Sequence, residues 1–210
     1  YLETKRLYFA RFFFLSNEEL LEILSETKDP SRVQPHLKKC FEGLQRLDMD
    51  DKCTQITGMM DRGKELVEFT KIIKPADAKG SVEKWLLEVE QTMKESVKTV
   101  INAGIPVYTE IPRIDFCANS IGQVVLSVTG LYWSLESEEA IEAGGSKGLG
   151  EYAQKCIQQL NDIVNLVRGK LTKTQREILG ALVTLDVHQK DVLLDLSKKD
   201  INDKNDFEWT

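Results

Sequence analysis

Apolar residues crowd the start of the chain, at Tyr8, Phe9, Phe12, Phe13, Phe14 and Leu15, and then give way to Ser16-Asn17-Glu18-Glu19. That tetrad has the form of a capping box. Ser16 is placed to accept from the Glu19 N–H while the Glu19 carboxylate reaches back. It predicts a short helix with Leu20, Leu21, Ile23 and Leu24 as its apolar face, ending before Asp29-Pro30. A second short helix is predicted from about Val33 to Phe41. The pattern then changes. Leu44 to Asp48, Cys53 to Met59 and Glu65 to Ile72 are short runs rich in Val, Ile, Thr and Phe, separated by the polar turns Asp48–Asp51 and Asp61-Arg62-Gly63. They predict a small antiparallel hairpin or sheet over residues 44–73, closed by a boundary at Lys74-Pro75-Ala76-Asp77.

Beyond that boundary the apolar positions take helical spacing. Val82, Trp85, Leu86, Val89, Met93, Val97, Val100 and Ile101 predict one long helix, with Gly104 and Pro106 as its end and 105–119 as a connector. The next helix carries Ile121, Val124, Val125, Val128, Leu131, Tyr132 and Leu135 and breaks at Gly144-Gly145. Another carries Tyr152, Cys156, Leu160, Ile163, Val164 and Val167. The last starts at a second capping box, Thr172-Lys173-Thr174-Gln175, and continues through Ile178, Leu182, Leu185, Val192 and Leu196. Short connectors make neighbouring helices antiparallel, so the fold class expected is mainly α, an antiparallel bundle of three or four helices over 80–199 beside the small sheet. At ~1.5 Å per residue the last helix is ~40 Å long, a lever-like dimension.

Composition narrows the function classes. The 210 residues are 41% hydrophobic and 30% charged, with net charge −6, pI near 5.2 and mean hydropathy −0.30. An acidic balance argues against nucleic acid or an anionic membrane as partner, because both need a basic footprint. No apolar run approaches the ~18 residues of a spanning helix. Cys40, Cys53, Cys117 and Cys156 are scattered, with no Cys-x-x-Cys pair, which points to four reduced, mostly buried thiols in an intracellular protein. The chain starts at Tyr1 rather than Met and stops within the polar-aromatic run Phe207–Thr210, so it reads as a piece of something longer.

Candidate chemistry is thin. Gly144-Gly145-Ser146-Lys147-Gly148-Leu149-Gly150 is glycine-rich, but a phosphate loop needs Gly-Lys-Ser/Thr after a strand, and here Lys147 precedes Gly148. It is expected to be a flexible connector. Asp48-Met49-Asp50-Asp51 lacks the acceptor and glycine of a calcium loop, since Lys52 and Cys53 stand in those places. His36 and Cys40 lie four residues apart, yet only His188 remains as a further imidazole, which falls short of a zinc set. His188, between Asp186 and Asp191, has the neighbours of an oriented base but no nucleophile beside it. Glu136, Glu138, Glu139 and Glu142, and Glu83, Glu88 and Glu90 with Lys84 and Lys94, read as solvated helix faces. Trp85 and Trp133 sit on apolar stripes and are expected in the core; Trp209 is expected to pack on something outside this chain. No catalytic, cofactor or metal residue is assigned.

Several ordered runs resemble the linker of dynein heavy chains. Arg11-Phe12-Phe13-Phe14-Leu15-Ser16-Asn17-Glu18-Glu19-Leu20-Leu21-Glu22-Ile23-Leu24-Ser25 is similar to that family's R-F-Y-F-L-S-N-D-E-L-L-E-I-L-S run. Val33-Gln34-Pro35-His36-Leu37-Lys38-Lys39-Cys40-Phe41-Glu42 continues it, and Val82-Glu83-Lys84-Trp85-Leu86 with Val89-Glu90 resembles the next helix. Val187-His188-Gln189-Lys190-Asp191 is similar to the V-H-x-R-D motif, with Lys190 in place of arginine. Asp206-Phe207-Glu208-Trp209 looks like the lead-in to the first AAA+ module, and residues 105–119 depart most from the family pattern.

The resemblance implies a linker subdomain over 1–75, a helical bundle over 76–200 and a connector over 201–210, with Phe207, Glu208 and Trp209 as the joint to the ring. It implies a mechanical role: transmitting ring movement into the force stroke of a microtubule motor, with ATP and Mg handled elsewhere in the parent. The AAA+ ring of the same chain is the implied partner, microtubules are reached only through the whole motor, and the wording of the motifs is closer to ciliary than to cytoplasmic forms. Two other classes fit the composition: a helical adaptor module, and a small enzyme with an unrecognised site.

Overall fold

The computed structural model describes residues 1–25 and 29–210, mainly helical with one three-stranded antiparallel sheet. It divides into two compact units, Tyr1–Val100 and Ile101–Thr210. The expected boundary at Lys74–Asp77 is occupied by a 3-10 turn, Pro75–Ala78, within the first unit.

The first unit opens with α1 (Leu2–Tyr8), which has no counterpart among the elements the sequence predicted. A 3-10 turn over Ala10–Phe14 follows. In a 3-10 helix residues three apart eclipse one another. Phe9, Phe12 and Leu15 accordingly all face inward, while Tyr8, Phe13 and Phe14 stay exposed. The Ser16 capping box forms as expected, with Glu19 N–H donating to Ser16 Oγ at 3.2 Å and Ser16 N–H to Glu19 Oε2 at 3.0 Å. It starts α2 (Asn17–Ser25), whose inward residues are Leu20 and Ile23; the predicted end at Asp29-Pro30 lies partly outside the described residues. A turn over Pro30–Val33 leads into α3 (Gln34–Cys40).

The three strands are β1 (Arg46–Met49), β2 (Ile56–Met60) and β3 (Leu66–Ile73), in the order β1-β2-β3. Asp50 holds the first turn, its carboxylate accepting from the N–H groups of Thr54 and Gln55 at 2.6 and 2.7 Å. The acidic run there is therefore turn chemistry, and these hydrogen bonds, that from the Thr54 hydroxyl foremost, hold the Asp50 carboxyl below its ordinary pKa. Both outer strands are tied to helices. Gln34 donates to the Leu47 carbonyl at 2.8 Å and accepts from its N–H at 2.9 Å; Thr70 N–H donates to Ser96 Oγ at 3.0 Å. Trp85, Leu86 and Val89 of α4 (Val82–Glu110) complete this core.

In the second unit α4 runs on through Pro106 to Glu110, where the sequence predicted an end. Gly104 does not cap it. A Cβ there would stand 2.6 Å from Val124 Cγ1, so this glycine lets α4 approach its neighbour closely. The expected connector 105–119 is mostly helical, the end of α4 followed by α5 (Arg113–Asn119). The long α6 (Gly122–Val167) leaves helical geometry only at Gly145, with φ 55° and ψ −137°. There the chain doubles back. Lys155 Nζ lies 2.8 Å from Glu136 Oε2, whereas nineteen residues of straight helix would span ~28 Å. The break predicted at Gly144-Gly145 is thus one residue wide, and Ser146 to Gly150 are helical rather than a flexible connector.

The Thr172 capping box forms and starts α7 (Lys173–Leu196), while the Gln175 amide also donates to the Ala118 carbonyl at 3.0 Å. Its buried positions are Leu179, Leu182, Asp186, Leu193 and Leu196, a heptad-like stripe. Three residues expected on apolar stripes face outward: Leu131 at 39%, Leu135 at 45% and Leu185 at 40% exposure. In α6 the inward line advances in steps of four through Val125, Thr129, the half-buried Trp133, Ser137 and Ile141, leaving Leu131 and Leu135 on the opposite side.

Candidate functional site

The segment after α7 is the region to which sequence assigned a role, and it is held along α6 rather than hanging free. Ile201 N–H donates to Ser146 Oγ at 2.9 Å, and the Ser146 hydroxyl donates in turn to the Lys199 carbonyl. Gly145 makes this docking possible, because a Cβ on it would lie 2.7 Å from the Ile201 carbonyl oxygen. Ile201 itself is buried among Ile141, Leu149 and Leu196. Lys204 forms an ion pair with Glu142 at 2.6 Å, and Lys199 pairs with Glu208. Glu142 therefore has a specific partner, as does Glu136, so the acidic stretch is more than a solvated face.

The three joint candidates behave differently. Phe207 is 90% exposed. Glu208 is tied to Lys199. Trp209 packs on Trp133, ring centroids 5.8 Å apart and planes inclined at 48°. The expectation that Trp209 needs a surface outside this chain is thus corrected, and so is that of a wholly buried Trp133. Trp133 is half-buried, with Trp209 against it.

Close to Trp133 lies a polar centre that sequence reading passed over. Arg113, on α5, donates from Nη2 to both carboxylate oxygens of Asp186 on α7, at 2.8 and 3.0 Å, and from Nε to the Tyr108 hydroxyl at 3.2 Å. Tyr108 stacks on Tyr132 and meets Phe116 edge-on, and the Tyr132 hydroxyl donates to the Ile105 carbonyl at 2.9 Å. Burial works against the Arg113 charge, but Asp186 outweighs it and holds the guanidinium above its ordinary pKa. Burial pushes the Asp186 carboxyl up, against the pull of Arg113. The same desolvation takes the Tyr108 hydroxyl to about 12 and the Cys117 thiol to about 11. The Tyr108 hydroxyl and the Cys117 thiol therefore stay protonated at neutral pH, which suits structure and not proton transfer. The only sequence clue was an aspartate at an inward position of the α7 stripe.

The remaining candidates resolve into structure. His188 is exposed, while Asp186 faces Arg113 and Asp191 pairs with Lys190. His36 lies 3.4 Å from Glu22, and burial raises the Cys40 thiol to about 11. Glu83, expected on a solvated face, is buried and pairs with Lys5 at 2.6 Å; Glu88 pairs with Lys71 and Glu90 with Lys94. Arg11, first residue of the aromatic motif, donates to the Cys40 carbonyl at 2.9 Å and lies 4.7 Å over the Phe41 ring, so that motif is a packing device. Among the described residues no cluster of His, Cys, Asp or Glu could hold a metal ion, and no helix is long and apolar enough to cross a membrane.

Comparison with known proteins gives a consistent result. The family profile of dynein heavy chain, N-terminal region 2, matches residues 1–104. Over 209 residues the chain is 51% identical to dynein axonemal heavy chain 3 of Homo sapiens and to dynein axonemal heavy chain 12 of Mus musculus. It is 46% identical to dynein axonemal heavy chain 1 of Homo sapiens. These matches take in all of this chain but only 5%, 7% and 5% of the three relatives.

Proposed function

Because this chain is homologous to the N-terminal region of axonemal dynein heavy chains, we propose that it is a mechanical linker element of a microtubule motor. In this reading it leads into the first AAA+ module of the same heavy chain, carries the strain of the force stroke, and does no bond chemistry of its own. ATP and Mg are handled by the AAA+ ring, and the parent works in the axoneme of a cilium or flagellum.

The observation that carries the reading is the tethering of residues 199–209. A joint that transmits torque must not behave as a random coil. Here Ser146, Glu142 and Trp133 fix successive points of the segment, at Ile201, Lys204 and Trp209. The test is an insertion of roughly six Gly/Ser residues between Asp203 and Lys204 in the full-length motor, a flexible length. ATP turnover should persist while microtubule gliding slows severely or stops. Normal gliding velocity with a folded insert refutes the linker role.

One observation favours a helical interaction module instead. Leu7, Tyr8, Phe13, Phe14 and Leu21 are all at least half exposed within a short stretch of the first unit, and exposed apolar surface of that kind marks binding faces. An adaptor would tolerate the insertion, because lengthening a loop costs little. It would also hold a stoichiometric partner outside the motor.

A further inference from the structure

Two buried donors in the second unit have no protein acceptor: Arg113 Nη1 and Trp133 Nε1. Their residues line the same cavity, of about 10 Å³, together with Tyr108, Thr129, Tyr152, Cys156, Gln159, Asp186 and Gln189. We infer that this cavity is a binding site for one ordered water molecule, whose oxygen accepts from both nitrogens and so ties the ring that carries Trp209 to the Arg113–Asp186 pair.

Size and chemistry select the ligand. A cavity of this volume admits about one water and excludes any organic molecule. Two donors sharing one site need a ligand that accepts twice, which a water oxygen does. An anion would also accept twice, but the Arg113 charge is already met by Asp186 at 2.8 and 3.0 Å, and a second negative group would face that carboxylate. The lining supplies acceptors for the water's own protons in the side-chain carbonyls of Gln159 and Gln189 and the hydroxyl oxygen of Thr129. Buried polar groups are almost always satisfied, by protein or by ordered water, and the residues of both orphaned donors line this one cavity.

The arrangement gives Trp133 a second function. One side of the residue receives Trp209, 5.8 Å away, and its N–H is anchored through the water to a guanidinium that is itself fixed by Tyr108 and Asp186. The C-terminal segment thereby rests on a ring whose rotation is restrained by α5 and α7.

The test uses the 210-residue chain with ¹⁵N-labelled tryptophan. It has three indole N–H signals, from Trp85, Trp133 and Trp209, and the one missing in the Trp133→Phe variant is that of Trp133. Water–proton cross-relaxation at the Trp133 indole should have the sign of a long-lived bound water. The double variant Arg113→Met/Asp186→Leu, which replaces the ion pair with apolar bulk, should abolish it. A cross-peak with the sign of fast surface water, or none, overturns the site, as does persistence of the signal in a folded double variant. A saturable shift of the Trp133 signal on titrating sodium chloride into a chloride-free buffer overturns water in favour of an anion.

Discussion

Asp186→Ala should be the most informative single substitution in the second unit. The Asp186 side chain is 7% exposed and that of Arg113 15%, so neither is well solvated. Removing the carboxylate leaves the guanidinium with the neutral Tyr108 hydroxyl at 3.2 Å as its remaining protein partner. Breaking a buried pair from one side costs about 3–5 kcal/mol, because the stranded charge must be desolvated without compensation. The residual exposure of Arg113 puts the expectation at the lower end, about 3 kcal/mol, roughly a hundredfold in the folding equilibrium. The double variant Arg113→Met/Asp186→Leu should recover most of this, since well-packed apolar replacements of buried pairs are often neutral or stabilising. Urea unfolding followed by circular dichroism and tryptophan fluorescence gives both values, with Trp133 and Trp209 reporting on the second unit. A loss under about 1 kcal/mol for Asp186→Ala refutes the reasoning. So does a double variant as unstable as the single one.

Two further perturbations address other parts of the fold. Gly145→Ala places a Cβ at φ 55°, in a region almost restricted to glycine, and 2.7 Å from the Ile201 carbonyl; it should destabilise by about 1–3 kcal/mol, whereas Gly144→Ala, with nothing within 4 Å, should be neutral or stabilise by about 0.5–1 kcal/mol. Equal melting temperatures for the two variants would refute the turn assigned to Gly145. In the first unit, burial opposes ionisation of Glu90, but hydrogen bonds from Lys94 and Arg11 outweigh it and leave its pKa below the ordinary 4.5. A folded pKa lower than the unfolded one stabilises above 4.5, and the contribution is lost as pH falls through the folded value. Glu90→Gln should therefore weaken the chain at pH 7 and make no difference at a pH below that folded value; a gap of equal size at both would refute the pairing.

What could be read from sequence was what local rules decide. Both capping boxes formed at Ser16 and Thr172, since Ser-x-x-Glu and Thr-x-x-Gln carry donor and acceptor within one turn. The helix break was placed within a residue at Gly145. Pro106 marks a helix end by a rule that is also local, and the structure does not follow it. The bond it removes did not end α4, and contacts from far along the chain, such as the Tyr132 hydroxyl on the Ile105 carbonyl, support the helix there. Arg113 and Asp186 are 73 residues apart, and nothing near either announces the other. Nothing in the sequence near Trp209 announces its partner, because Trp133 lies on an earlier helix whose inward face turns away from the Leu131–Leu135 line.

The side chains tied to β1 and β3 bear on how the molecule behaves among copies of itself. An outer strand with free N–H and C=O groups is a template on which a strand from another molecule can add, and repeated addition builds fibrils. At Leu47 both backbone groups are taken by one amide, Gln34, which imitates the pairing of a neighbouring strand without offering a further edge. At Thr70 the N–H is taken by Ser96, whose hydroxyl is itself committed to the Thr92 carbonyl at 2.7 Å. At these two positions the outer strands therefore present occupied groups in place of a template, which disfavours addition of a further strand there when many copies are crowded together.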